Sequence, residues 1–507
     1  MIRNVLLAML AGAAVLCAAP SALPADDPAY AFYEKQAKDV LRTAGDKVWG
    51  AADDARKCGF HQFAIEQAQR ALEYDPEQKD ARDFLKYVKK DGKWVQDEAA
   101  FKALPQTNIR PSNKNGAVES EESFNKRVKK WEEESLAKAD KYVAARYAEL
   151  GDICAAKGFP EQAKKGYEAS MRLDKDNDKA RKGLGYTKFG KVWLTKKQDD
   201  ARKQASKAEA VKETETTVWE DCIGVKMNKV ESGHIRIESP FEVAELQQHC
   251  LAGETAYAYY LADFGMEPSE NVFGDRKALF VVMSPDEQWN KFIDRFGGND
   301  KEFTRQLSGC GVGDLTDGIR SGSPERKGPD GKTVHDPGGT PEGRRDHIVH
   351  RITHELNRFV WRLGDKAWLD EGLAYYYTLK VLETTSTFCV ARKKGDYANG
   401  NKDIGGMKDW GQSDNWKPLM KDLVAKKNDL PLRQIMSQPI HVLQFDASVK
   451  AWSVCSYLMD KNRDKFLYFL GQMKDPGVKQ DVVFQNTFDT GIEEFEKEWQ
   501  EYVRRCY

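Results

Sequence analysis

The N-terminal third of the sequence matches itself. Slid over itself without gaps, it pairs residues 59–95 with residues 158–194 at an offset of 99. Ten of the 37 pairs are identical, from Gly59/Gly158 and Phe60/Phe159 through Ala64/Ala163 and Asp75/Asp174 to Trp94/Trp193. A match of this length requires two copies of one structural unit. Each copy reads as a Gly-aromatic turn, a helix with a small Ala where helices approach closely, an Asp-led break, and a second helix expected to end near the Trp.

That layout resembles the second helix of a tetratricopeptide repeat followed by the first helix of the next. Tyr147, Leu150 and Gly151 supply the preceding helix of the second copy. The offset is far from the usual ~34-residue period, which predicts two separate modules rather than one solenoid. We place them at residues 26–102 and 119–217, joined by a linker over 103–118 that carries Pro105, Pro111 and Gly116. Ser120 to Lys157 and Lys196 to Thr217 read as charged, solvated helices. The resemblance implies hairpins that bind partner segments or serve as a scaffold.

Residues 1–25 join Arg3 to an apolar stretch from Val5 to Ala19 and then to small residues and Pro, the pattern of a secretory signal peptide cleaved after Ala25 or Ala19. The expected location is extracytoplasmic, periplasmic or secreted. No later segment is long and apolar enough to span a bilayer. Eight cysteines then remain, too irregularly spaced for a CxxC redox or zinc pattern, and either disulfides or buried thiols suit them. With 79 Lys+Arg against 80 Asp+Glu there is no basic excess for nucleic acid.

From Val218 the composition changes. His234–Glu238 alternates like a strand, 241–264 is helical, Lys277–Met283 is an apolar strand, and 285–296 is a helix. Gly309–Gly313 is glycine-rich but lacks the phosphate-loop pattern and reads as a cleft-lining strand. Residues 320–344 are rich in Gly and Pro and are expected to form a mobile loop; the chain beyond Asp346 is mainly helical. Residues 218–507 therefore form a small sheet followed by a helical bundle, and the whole chain is α+β with an all-α N-terminal part.

Three of only eight histidines, His347, His350 and His354, fall within one predicted helix. His350 and His354 are one turn apart, so both imidazoles can reach a single ion. Seventeen residues beyond His354 lies Glu371, within Trp368-Leu369-Asp370-Glu371-Gly372-Leu373-Ala374. Two imidazoles and a carboxylate, with a fourth position left for water, are the ligand set of a catalytic zinc site.

These residues resemble the gluzincin-type metallopeptidases, particularly their short peptidase-MA-like domains. There an HExxH helix precedes a helix with the motif W-x-x-E-G-L-A, whose Glu is the third zinc ligand. Here HRITH carries the two ligand positions and WLDEGLA the third, and the resemblance extends more weakly over 218–507. It implies zinc on His350, His354 and Glu371.

The base position of that motif is Arg351, a group that stays protonated and cannot accept a proton. A positioned acid–base group is worth roughly 10²–10⁴ in rate, so the expected protein is a catalytically impaired, metallopeptidase-like one that binds protein or peptide. The alternative is an active zinc metallopeptidase in which Glu355, one turn along the helix, replaces the base. His347 is too far along the axis to join both other histidines on one ion and is expected to support or line the site, as are Arg351 and Asp370.

Overall fold

The computed structural model describes residues 28–112, 116, 118–213, 215–266, 271–284, 286–306, 309–321, 325–327, 333–335, 339–385, 413–443 and 445–507. The segment read as a signal peptide lies outside them. The chain divides into two compact units, Met1–Thr187 and Lys188–Tyr507. The boundary precedes the change of composition at Val218.

The duplication recurs element by element, with the second copy's hairpin crossing from the first unit into the second. Helix α1 (Pro28–Lys57) packs on α2 (His61–Tyr74), which is followed by the short α3 (Lys79–Phe84) and by strands β1 (Tyr87–Lys90) and β2 (Lys93–Gln96). In the second copy α4 (Glu121–Trp131) runs through a π turn (Glu132–Leu136) into α5 (Ala137–Ala156). α5 packs on α6 (Pro160–Leu173), and α7 (Asp178–Gly183) and strands β3 (Thr187–Phe189) and β4 (Val192–Leu194) follow. Buried alanines allow close helix contact in both copies: Ala44, Ala51, Ala52, Ala64 and Ala68 in the first, Ala144, Ala148 and Ala163 in the second.

The expected second helix does not reach the Trp. It stops at Phe84 and Gly183, and Trp94 and Trp193 lie on the second strand of a two-stranded hairpin. The break comes from Lys86 (φ 64°) and its counterpart Gly185 (φ 81°), left-handed positions that a helix cannot continue through. In the first hairpin Asp91 and Gly92 both have positive φ, as a tight two-residue turn requires. The segment read as a linker is tied down: Ile109 N donates to Gly59 O at 2.9 Å, and Ser112 bridges to Val118.

The second unit is built on a six-stranded mixed sheet with the order β5-β6-β7-β8-β10-β9. Its strands are β5 (Glu209–Ala210), β6 (Asn228–Glu231), β7 (Ile235–Ser239), β8 (Ala278–Met283), β9 (Gly309–Gly313) and β10 (Thr316–Arg320). β7–β8 and β8–β10 are parallel; β5–β6, β6–β7 and β9–β10 are antiparallel. The charged run Lys196–Thr217 is helical only over α8 (Lys196–Ala205), and Glu209–Ala210 then joins this sheet as its edge. That pairing explains why residues before Val218 belong to the second unit.

Alternate residues of β8 serve two cores, as the two-residue period of a strand dictates. Ala278, Phe280 and Val282 share a core with α9 (Val243–Asp263) and α11 (Pro341–Leu356), while Val281 and Met283 pack with Trp289 and Phe292 of α10 (Asp286–Phe296). Within the stretch expected to be a loop, 325–327 and 333–335 pair as short antiparallel strands β11 and β12, and α11 begins at Pro341. The remaining residues between 322 and 338 lie outside the described ones. α12 (Ala367–Leu382) is buried on nearly all sides and crosses α13 (Phe445–Lys461). A Cβ on Gly372 would meet Ala451 O at 2.8 Å, so the Gly of the EGLA motif permits that close crossing. No described helix is long and apolar enough to cross a membrane.

Candidate metal centre

α11 opens cleanly, with Thr340 Oγ1 accepting from Gly343 N at 3.1 Å and Pro341 in the first turn. Its polar residues then turn inward: Asp346, His347, His350, His354 and Glu355 are all buried. Buried ionisable groups require partners, and here the partners form a site.

His350, His354 and Glu371 converge, their ligand atoms all within 4.8 Å of one another, and the group can hold a metal ion. The two Nε2 atoms are 3.1 Å apart, His350 Nε2 is 3.5 Å from Glu371 Oε2, and His354 Nε2 is 3.4 Å from Glu371 Oε1. Ligands about 2.0–2.1 Å from a tetrahedral ion stand about 3.3 Å from each other, and the separation of the two imidazoles and the approach of each to its own carboxylate oxygen of Glu371 are near that value. Burial alone raises the Glu371 carboxyl, but the two imidazoles outweigh it and hold the group well below the usual carboxylate range.

A supporting shell comes from Asp370, whose Oδ1 stands 2.9 Å from His354 Nδ1. After His354 the helix widens into a π turn over Asn357–Trp361. Asn357 Nδ2 donates to Asp370 Oδ1 at 2.9 Å and to Asp370 O at 3.1 Å, and Asn357 Oδ1 accepts from Tyr260 Oη at 2.9 Å. This chain of contacts connects α9, α11 and α12 behind the ligand. The ring of Tyr375 packs 4.6 Å from that of His350. His347 is buried outside the ligand trio, and burial, with His350, Arg351 and His354 adding, depresses its pKa to about 3.

Arg351 does not pair with Glu371. Its Nε donates to Asp317 Oδ2 at 2.8 Å and its Nη2 to Asp317 Oδ1, an acid anchored on β10 with its side chain 1% exposed. Asp317 thus holds the guanidinium in place where it lines the cleft. Glu355 is fully buried and accepts from Arg358 Nη1 at 2.9 Å. Burial, with the Asp317 charge adding, pushes its pKa up to about 7.

His354 and Glu371 of the trio open on a cleft of about 400 Å³, lined also by Arg351, Asp370, Phe296 and Ile440 and by Gly309–Gly311 of the edge strand β9; His350 and Glu355 are not part of that lining. Sequence reasoning identified the trio, Asp370 and the cleft strand but not Asp317, Asn357 or Tyr260. Asp317 stands in a short strand, Thr316–Arg320, that itself carries Thr316 and Arg320, so nothing local in the sequence marks it, and Asn357 and Tyr260 left no signal either. Neither a protein-family profile nor a curated protein sequence matches this chain.

Proposed function

We propose that the protein is an exported, zinc-binding relative of the gluzincin metallopeptidases that holds peptide without turning it over efficiently. Its N-terminal helical modules, read as tetratricopeptide-like, would contribute partner binding or a scaffold. The carrying observation is the convergence of three buried ligand side chains, close enough to hold one ion, combined with a cation where the base is expected. Bound zinc supplies Lewis acidity toward a carbonyl or carboxylate oxygen. His350, His354 and Glu371 would hold it, and Asp370, positioned by Asn357, stands 2.9 Å from His354 Nδ1 beside them. The outer edge of β9 offers a peptide backbone a place to add as a further strand.

A pKa near 7 suits Glu355 to base catalysis, and that favours the active-enzyme reading. Its burial against Arg358, away from the cleft lining, argues more strongly against it. The test is elemental analysis of purified protein with a general peptide-cleavage assay. One zinc per chain, lost in His350→Ala and Glu371→Ala, with no zinc-dependent cleavage, is expected. Absence of metal uptake would refute the site reading, and zinc-dependent cleavage abolished by Glu355→Ala would refute the impaired-enzyme reading.

A further inference from the structure

Arg351 is built into the cleft, and its setting indicates a class of ligand. Asp317 takes Nε and Nη2 together, which fixes the plane of the guanidinium. The edge strand is shaped around this pair. A Cβ at Gly311 would come within 3.2 Å of Asp317 Oδ1, and one at Gly309 would stand 3.6 Å from Cζ and Nη1 of Arg351. Glycine at alternate positions of β9 thus leaves the ion pair lying directly against the strand, in the cleft that His354 and Glu371 also line.

The cleft therefore combines two members of the ion-holding trio and a pre-oriented guanidinium, and among the described residues that line it no carboxylate is left to take a proton from water. Of its acids, Glu371 belongs to the trio and Asp370 is engaged by Asn357 beside His354. Such a site retains an oxyanion. A peptide laid along β9 and ending at the trio presents one, its own C-terminal carboxylate. Resting on the zinc reading above, the geometry points to a free peptide C-terminus as the ligand, its carboxylate recognised jointly by the loaded trio and Arg351. Phe296 and Ile440 offer the terminal side chain an apolar surface. A chain that runs on through the cleft brings an uncharged amide to Arg351 and is held less well.

The test uses the full chain loaded with Co(II), read by visible absorption, and three probes: acetyl-Ala-Ala-Phe acid, its C-terminal amide, and acetyl-Ala-Ala-Glu amide. The free acid is expected to bind about tenfold or more tighter than either amide, the size of one charge-assisted hydrogen bond, and to change the cobalt spectrum. In Arg351→Met/Asp317→Leu, which strands no buried charge, the preference should fall to near parity with cobalt uptake unchanged. Equal binding of acid and amide by the wild type, or a preference kept by the double variant, would overturn the inference. Tight binding of the Glu amide would overturn the C-terminal assignment. Failure of cobalt uptake removes the zinc reading and this inference with it; uptake without acid preference removes this inference alone.

Discussion

Arg351→Glu places a carboxylate at the position where, on the gluzincin reading proposed above, a hydrolytic enzyme carries its base, and the structure sets a penalty on doing so. The side chains of Arg351 and Asp317 are 11% and 1% exposed, which makes this a buried pair rather than a surface one. Removing one partner of such a pair costs about 3–5 kcal/mol, and the new Glu also stands beside the stranded Asp317. At about 2 °C per kcal/mol for a unit of this size, the melting temperature should fall by about 6–10 °C. Arg351→Glu/Asp317→Asn removes the charge clash and should recover more than half of that loss, a coupling of at least about 2 kcal/mol between neighbouring sites. Thermal unfolding followed by near-UV circular dichroism reads the stability, and cleavage of a peptide mixture with added zinc reads the chemistry. Only the double variant is expected to gain hydrolysis. A single variant as stable as wild type, or a double variant no more stable than the single, would refute the claim that Asp317 holds Arg351 in place.

Three further outcomes are expected. Glu355 has a folded pKa of about 7 against an ordinary value near 4.5, so its ionisation opposes folding: the penalty is absent below pH 4.5 and grows to about 3 kcal/mol above pH 7. Glu355→Gln should therefore lose less stability than wild type between pH 5 and pH 8, and an unchanged pH slope in urea unfolding would contradict this. His347 has its pKa depressed to about 3, so the unfolded chain takes the proton first and stability is lost as pH falls from about 6.5 toward 3. His347→Gln should flatten that acid limb, measured as melting temperature against pH. Lys86 sits at φ 64° where the other copy has Gly185, so Lys86→Gly should stabilise the first unit by about 1 kcal/mol and Gly185→Ala should destabilise it, both read by denaturant midpoints.

The parts of the site legible in the sequence were those carried by helical spacing. His350 and His354 are one turn apart, and WLDEGLA places Glu371 on the next long helix. Asp317 and Tyr260 reach the site from other elements through tertiary contacts, and no local pattern couples a strand acid to a particular helix arginine. The duplication is legible from identities alone, but the end of its second helix is not, because Trp94 fits a helical pattern as readily as a strand. Asp91-Gly92 between Tyr87-Val88 and Trp94-Val95 is a hairpin signal, and the positive φ of Lys86, a residue that rarely adopts it, was not readable from its identity. The run Lys196–Thr217 resembled one solvated helix because Glu and Lys are tolerated on exposed edges. Its short strand Glu209–Ala210 exists only because β6 is there to pair with it.

The ligand trio also has a kinetic meaning. His350, His354 and Glu371 all lie on two consecutive long helices separated only by the π turn and the turn Leu363–Asp365, so few residues must be ordered to bring them together. The sheet beneath depends on parallel pairings, β7 with β8 and β8 with β10, each closed by a crossover, and the Arg351–Asp317 clamp spans 34 residues. Local contacts of the first kind form before those of the second. For a chain that takes up zinc, metal present during refolding would therefore speed the appearance of native protein, whereas metal added afterwards would only slow its loss.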